Sequence, residues 1–167
     1  MLDLERLPRP LADRYQRLKE ETAKGTPVEA AWALRGAWEC GVRFVACLGL
    51  ADLMRAEPRS QTLIRALSIL SKWNGPSPEE WEALMAAGCD PDAAAGSQRL
   101  LPGLTRLPIS GDGQSARLLP RFDGQLSPGA ATRDQRWYEA ETSAAIPTLD
   151  AFYGALAVVL EGWVLRE

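Results

Sequence analysis

Apolar residues recur every three or four positions over most of the chain, a spacing that places them on one face of an α-helix. Leu11, Tyr15 and Leu18 follow this spacing and predict a helix from Pro10 to about Ala23. The stretch from Pro27 to about Ala56 is apolar on nearly all sides and predicts the strongest helix of the sequence. The pattern therefore indicates a mainly helical protein.

The second predicted helix carries polar side chains almost only at Arg35, Glu39 and Arg43, which share one face at i, i+4 and i+8. A helix with so narrow a polar stripe is covered on most sides, so we expect it at the centre of the fold. Its glycines lower the helix propensity, and we expect them to let a neighbouring helix approach closely. These glycines are Gly36, Gly41 and Gly49.

Two shorter helices are predicted next, the first from Gln61 to Trp73. The second begins at Ser77, which can form a capping box with Glu80, and it ends near Gly88. The residues expected to face inward are Leu63, Leu67, Leu70 and Trp73 in the first, and Trp81, Leu84 and Met85 in the second.

A closing helix is predicted by the apolar repeat from Leu149 to Trp163. Pro147 either starts this helix or kinks a longer one that begins near Arg133. Together the patterns predict a helical bundle of five to six helices in one domain spanning residues 1–167.

The segment from Gly88 to Thr132 interrupts the helical pattern, since it holds seven of the 14 glycines and five of the 12 prolines. We call it the insertion. Leu104–Ile109 and Ser115–Leu119 flank a Ser-Gly-Asp-Gly-Gln turn, which is typical of a small β-hairpin. Pro108 restricts that hairpin to an edge or irregular strand.

The composition excludes most catalytic chemistry. The chain has no histidine, which removes Ser-His-Asp and Cys-His arrangements, histidine metal sites and a histidine general base. No phosphate-binding glycine motif is present, so we expect no catalytic residues, no cofactor and no metal site. The three cysteines are Cys40, Cys47 and Cys89, and we expect reduced thiols packed in the core.

Targeting signals are not visible in the sequence. The N-terminal residues lack an apolar signal-peptide core, and the apolar run Phe44–Ala51 is far shorter than the roughly 20 residues of a membrane span. We therefore expect a cytoplasmic protein that contacts no membrane. The net charge of −3 disfavours a dedicated nucleic-acid-binding domain, because such domains are usually basic.

The insertion is the expected site of partner binding, because loops on a rigid scaffold commonly carry specificity. Its apolar side chains would dock and its arginines would form a polar rim; a covering role at one end of the bundle is the alternative. Trp137 and Tyr138 are the aromatic pair expected to be exposed, as an interface anchor. The candidate partner-binding residues are Arg106, Leu107, Ile109, Arg117, Leu118, Arg121, Phe122, Trp137 and Tyr138.

The first 56 residues resemble a helical module of bacterial conflict and anti-phage proteins, a divergent relative of the HEPN bundle. The matching motifs are LPxPLAxxYxxL at residues 7–18 and ExxxRFVAxLxLAD at residues 39–52. The HEPN nuclease motif R-N-x-x-x-H aligns best at Arg121, where Phe122 and Leu126 replace the asparagine and the histidine. The resemblance therefore implies a scaffold without the acid–base group of RNA cleavage.

Two functions are favoured by the sequence, and a third, an enzyme that uses Asp, Glu, Cys or Arg without histidine, stays open although no motif indicates it. The first is a non-enzymatic protein-interaction subunit of a bacterial multi-protein system, of the anti-phage kind, whose partner protein is encoded nearby. The alternative is a nucleic-acid-associated helical protein, a degenerate HEPN-like RNA binder that uses the arginines between Arg99 and Arg136.

Overall fold

The computed structural model describes residues 3–94, 99–107 and 134–164. These ranges contain five α-helices, three short 3₁₀ turns and no strand. The helices are α1 (Arg9–Lys24), α2 (Pro27–Ala56), α3 (Gln61–Leu70), α4 (Pro78–Cys89) and α5 (Gln135–Val164). The prediction of a mainly helical fold is confirmed.

The ends of the helices follow from local sequence. Gly25 ends α1 in the left-handed conformation at φ 69°, which glycine adopts without strain. Ser77 Oγ accepts a hydrogen bond from the Glu80 backbone N–H, and the Glu80 carboxylate accepts one from the Ser77 N–H, so the predicted capping box is confirmed. The longest helices are α2, which has its predicted bounds, and α5, which continues through Pro147.

Two compact units are formed by the described residues. The first combines the residues up to Gly41 with those from Asp134 onward. In its core the ring centroids of Trp38 and Phe152 lie 5.2 Å apart. The Tyr153 hydroxyl donates a 2.8 Å hydrogen bond to the Ala37 carbonyl. Aromatic side chains of α5 therefore pack directly on the first half of α2.

The second unit extends from Val42 to Leu107 and contains the second half of α2 with α3 and α4. Here α2 and α4 approach so closely that a Cβ at Gly49 would lie 2.9 Å from the Gly88 carbonyl carbon. In the first unit, a Cβ at Gly41 would lie 2.8 Å from Phe152 Cε1. The expected role of α2 glycines in close approach is thus confirmed at Gly41 and Gly49.

Of the 30 residues of α2, 14 are buried and 7 are exposed. Val42, Val45 and Leu53 have no exposed surface, and both units take part of their core from this helix. Arg35 and Glu39 form the predicted ion pair at 2.8 Å on the less buried side. The prediction that α2 is covered on most sides is confirmed, whereas the assignment of residues 1–167 to a single domain stays a prediction.

The register of α3 differs from the predicted one. Its buried residues are Leu63 and Ala66, while Leu67 is 47% exposed. The helix ends at Leu70, so Trp73 lies in the following turn and is fully exposed instead of facing inward. The predicted inward face was wrong at Leu67 and Trp73, because apolar side chains occupy two neighbouring faces of this helix.

The tryptophans divide between core and surface. Trp38 is fully buried and Trp81 is partly buried. The guanidinium carbon of Arg43 lies 5.8 Å from the centroid of the Trp81 ring. Trp32 is 47% exposed, so the expected cover of α2 does not extend to this residue. The side chain of Trp163 lies outside the described part of the chain.

The structure contradicts the predicted β-hairpin in the part of its first arm that lies in the described residues. Pro102–Arg106 forms a 3₁₀ turn, so residues 104–106 are not the first arm of a hairpin. The remainder of both arms lies outside the described residues.

Among the described helices, α5 alone has the length and hydropathy that would allow it to cross a membrane. Residues Gln135–Glu161 of α5 contain a window with mean hydropathy 1.5. The core helix of a soluble protein passes the same test, and Leu149, Phe152 and Leu156 of this helix are buried.

Candidate functional site

Four of the predicted partner-binding residues lie in the described part of the chain. Arg106 is exposed at the end of its 3₁₀ turn, whereas Leu107 is 7% exposed. Tyr138 is 5% exposed, and its ring lies 5.0 Å from that of the partly buried Trp137. The expectation of an exposed aromatic pair was wrong for Tyr138, and Leu107 is likewise almost fully buried, while partner binding by these residues stays a prediction.

The other predicted partner-binding residues lie outside the described residues. They are Ile109, Arg117, Leu118, Arg121 and Phe122.

The described end of the insertion is anchored in the second unit. The Asp52 carboxylate, 5% exposed, accepts hydrogen bonds from the Leu100 N–H at 2.8 Å and the Leu101 N–H at 3.4 Å. Leu101 and Leu104 of the same segment are buried. A buried carboxylate that accepts two backbone hydrogen bonds fixes the chain locally, because leaving those donors unpaired would cost about 1–3 kcal/mol each. This part of the insertion is packed within the second unit, while the choice between a binding and a covering role for the insertion stays a prediction.

Arg99 takes part in the same anchoring. Its guanidinium donates to the Gly88 carbonyl at 2.6 Å and to the Asp90 carbonyl at 2.9 Å. The guanidinium therefore holds the end of α4 against the start of the described insertion.

A surface that the sequence did not predict lies on α3 and the turn after it. Ile64 is 50% exposed, Leu67 47% and Trp73 100%. Residues 58–78 contain three basic residues and no acidic one. The α3 surface is defined by Ile64, Leu67 and Trp73 together with Arg59, Arg65 and Lys72.

The turn that carries Trp73 is well defined. Gly75 adopts φ 69°, and its N–H donates to the Lys72 carbonyl at 3.0 Å. The Lys72 ammonium binds the Glu80 carboxylate, which lowers the pKa of that carboxyl below its usual range together with the Ser77 N–H. These residues line an open cleft of about 540 Å³ beside the indole. Trp73 is thus exposed on an ordered turn.

The absence of acidic residues between Glu57 and Glu79 was the signal in the sequence that could have indicated this surface. The exposure of Leu67 and Trp73 could not be read from the pattern, because their spacing from Leu63 is also that of a buried face.

The cysteines occupy different environments. Cys89 is buried, and burial raises the pKa of its thiol to about 12. Cys47 is exposed and Cys40 is partly buried, so the expectation of three core thiols holds fully only for Cys89. Within the described ranges, no group of three cysteine, aspartate or glutamate side chains is placed to hold a metal ion.

Comparison with family models, with curated proteins and with solved structures found no match to this chain.

Proposed function

We propose that the protein is a non-enzymatic helical interaction subunit that binds a partner protein through the α3 surface. The observation that carries the proposal is Trp73, a large aromatic side chain held fully exposed on an ordered turn. Tryptophan is rarely left in water and is enriched among the residues that dominate binding energy at interfaces.

The chemistry of the partner follows from the charge around the exposed apolar side chains. Arg59 and Arg65 are exposed, and neither pairs with an acidic residue in the described part of the chain. Complementary charge steers association and excludes wrong partners. The expected occupant is therefore an acidic segment of another protein with apolar side chains that contact Ile64, Leu67 and Trp73.

The resemblance of residues 7–18 and 39–52 to modules of anti-phage proteins supports a place in a bacterial defence system. In such a system the partner would be encoded nearby. The cytoplasm remains the proposed location.

The alternative function, nucleic-acid binding through the arginines between Arg99 and Arg136, has less support. Nη1 and Nη2 of Arg99 both donate hydrogen bonds to backbone carbonyls, so this guanidinium is already engaged within the protein. Arg106 and Arg136 are exposed, but no described feature joins them into one surface.

The test starts with the tagged full chain in its native host and quantitative mass spectrometry of the proteins that co-purify. The variants are Trp73→Ala and the double variant Ile64→Ser/Leu67→Ser. Val158→Ser is the matched control, since Val158 is 68% exposed on α5. Thermal unfolding of each variant establishes that it folds.

We expect one partner to co-purify with the wild type and with Val158→Ser, and to be lost from both α3-surface variants. With the purified partner, Trp73→Ala should weaken binding by about 30-fold, the loss expected for a hot-spot residue. Acid-to-amide changes in the partner's contact segment should slow association.

Equal partner binding by the wild type and by Trp73→Ala would overturn the proposal that the partner binds through the α3 surface. If Arg106→Ala alone abolished binding, the contact would lie on the insertion instead. A solitary monomer with no reproducible partner would overturn the interaction function itself.

A further inference from the structure

A second surface feature lies in the first unit, in an open cleft between α1 and the first half of α2. Its volume is about 400 Å³, within the roughly 300–1,000 Å³ typical of small-ligand sites. Arg14 and Arg17 line it from α1, and Trp32, Arg35 and Glu39 line it from α2. The cleft thus combines three guanidinium groups, one carboxylate and an aromatic ring.

The positive charge of the cleft comes from α1. Arg14 and Arg17 lie one helical turn apart and are exposed, and neither forms a direct ion pair with a described acidic residue. The hydrogen bond from Lys24 lowers the pKa of Glu21 most, and the charge of Arg17 helps to lower it. The Arg14 side chain reaches α2 at Gly36, since a Cβ there would lie in ordinary contact, 3.7 Å, with Arg14 Nη1. Two adjacent guanidinium groups match the geometry and charge of a phosphate.

The aromatic wall comes from α2. Arg35 donates to Glu39 at 2.8 Å, and its guanidinium carbon lies 5.8 Å from the centroid of the Trp32 ring. The ion pair balances the charge of Arg35, so this residue positions the indole instead of adding net charge. Trp32 remains 47% exposed at the cleft.

We propose that this cleft binds one nucleotide unit, either as a free nucleotide or as a residue of a single-stranded nucleic acid. Arg14 and Arg17 hold the phosphate, and the base stacks on Trp32. Base–aromatic stacking next to basic side chains is the usual chemistry of single-strand recognition, and it tolerates any base. A simple carboxylate ligand would use the arginines but gain nothing from Trp32.

The site is independent of the proposed protein-binding surface, because it shares no residue with it. It also differs from the arginines of the insertion on which the sequence-based nucleic-acid alternative rested. Failure of either proposal would therefore leave the other standing.

The test measures fluorescence anisotropy of a labelled oligoadenylate RNA with the full chain at low salt, and then competition by AMP, ATP and polyglutamate. The cleft variants are Arg14→Ala, Arg17→Ala and Trp32→Ala. The matched controls are Arg59→Ala and Trp73→Ala, which remove an exposed arginine and an exposed tryptophan outside the cleft.

We expect each cleft variant to weaken RNA binding by about tenfold, the loss expected for one charge-assisted contact or one base stack. Each arginine variant should also reduce the slope of log affinity against log salt by about 0.7, whereas Trp32→Ala should leave that slope unchanged. If AMP displaces the RNA at a concentration similar to the RNA concentration counted in nucleotides, the ligand is a free nucleotide. Much tighter binding of the strand would identify a single-stranded nucleic acid.

Three results would overturn the proposal. The first is no binding of RNA, AMP or ATP at low salt. The second is equal weakening by the cleft variants and by Arg59→Ala and Trp73→Ala. The third is competition by polyglutamate as strong as that by RNA, together with full affinity in Trp32→Ala.

Discussion

The close approach of α2 and α4 makes a quantitative prediction about Gly49. A Cβ at this position would lie 2.9 Å from both the carbonyl carbon and the oxygen of Gly88. Carbon atoms in favourable contact are about 3.5–4.0 Å apart, so Gly49→Ala must push the helices apart. Neither obstructing atom belongs to a flexible side chain, and the strain therefore cannot relax by a change of rotamer.

Two effects of Gly49→Ala oppose each other. Overpacking costs about 1–3 kcal/mol, and alanine gains about 1 kcal/mol of helix propensity over glycine. In Gly154→Ala only the gain applies, since nothing lies within 4 Å of a Cβ at that position of α5. The two variants should therefore differ in free energy of unfolding by about 1–3 kcal/mol, with Gly49→Ala the less stable.

The assay is urea and thermal unfolding followed by far-ultraviolet circular dichroism. For a chain of this size, each kcal/mol corresponds to about 2–4 °C in Tm. Gly88→Ala should be destabilising in the same way, because its Cβ would lie 3.0 Å from the Gly49 carbonyl carbon. The double variant should lose less than the sum of the two single losses, since one displacement of the helices relieves both. Equal stability of Gly49→Ala and Gly154→Ala would refute the close approach.

The remaining predictions concern the buried core. Val45→Asp places a charge at a position with no exposed surface and should cost several kcal/mol, measured by urea unfolding; near wild-type stability would contradict the burial of α2. Cys89 should resist a thiol reagent near neutral pH until the chain unfolds, while Cys47 reacts at once, which absorbance of the released chromophore measures. The folded protein keeps the Cys89 proton up to a pKa of about 12, whereas the unfolded thiol loses it from its ordinary value of 9.0. The Cys89 thiol therefore contributes fully to stability below pH 9, and this contribution falls as the pH rises towards 12. Rapid labelling of Cys89 in the folded protein would contradict the burial of its thiol.

The helices and their ends were determined largely by local sequence. The bounds of α2, the capping box at Ser77 and the buried stripe of α1 depend on neighbours within one or two turns. Such interactions are visible in the spacing of side chains and in capping residues, without knowledge of the tertiary structure. The mainly helical fold class followed from them.

The candidate sites were decided by tertiary structure. In α3, apolar residues fill two adjacent faces, and only the neighbouring helices determine that Leu63 is buried while Leu67 is exposed. The α1–α2 cleft joins Arg14 to Trp32 across a turn whose path the helical pattern does not specify. Likewise, Gly36 and Gly49 look equivalent in the sequence, but only Gly49 meets the backbone of another helix. Periodicity identifies which side chains share a face; the packing of one element against another determines which of those faces water reaches.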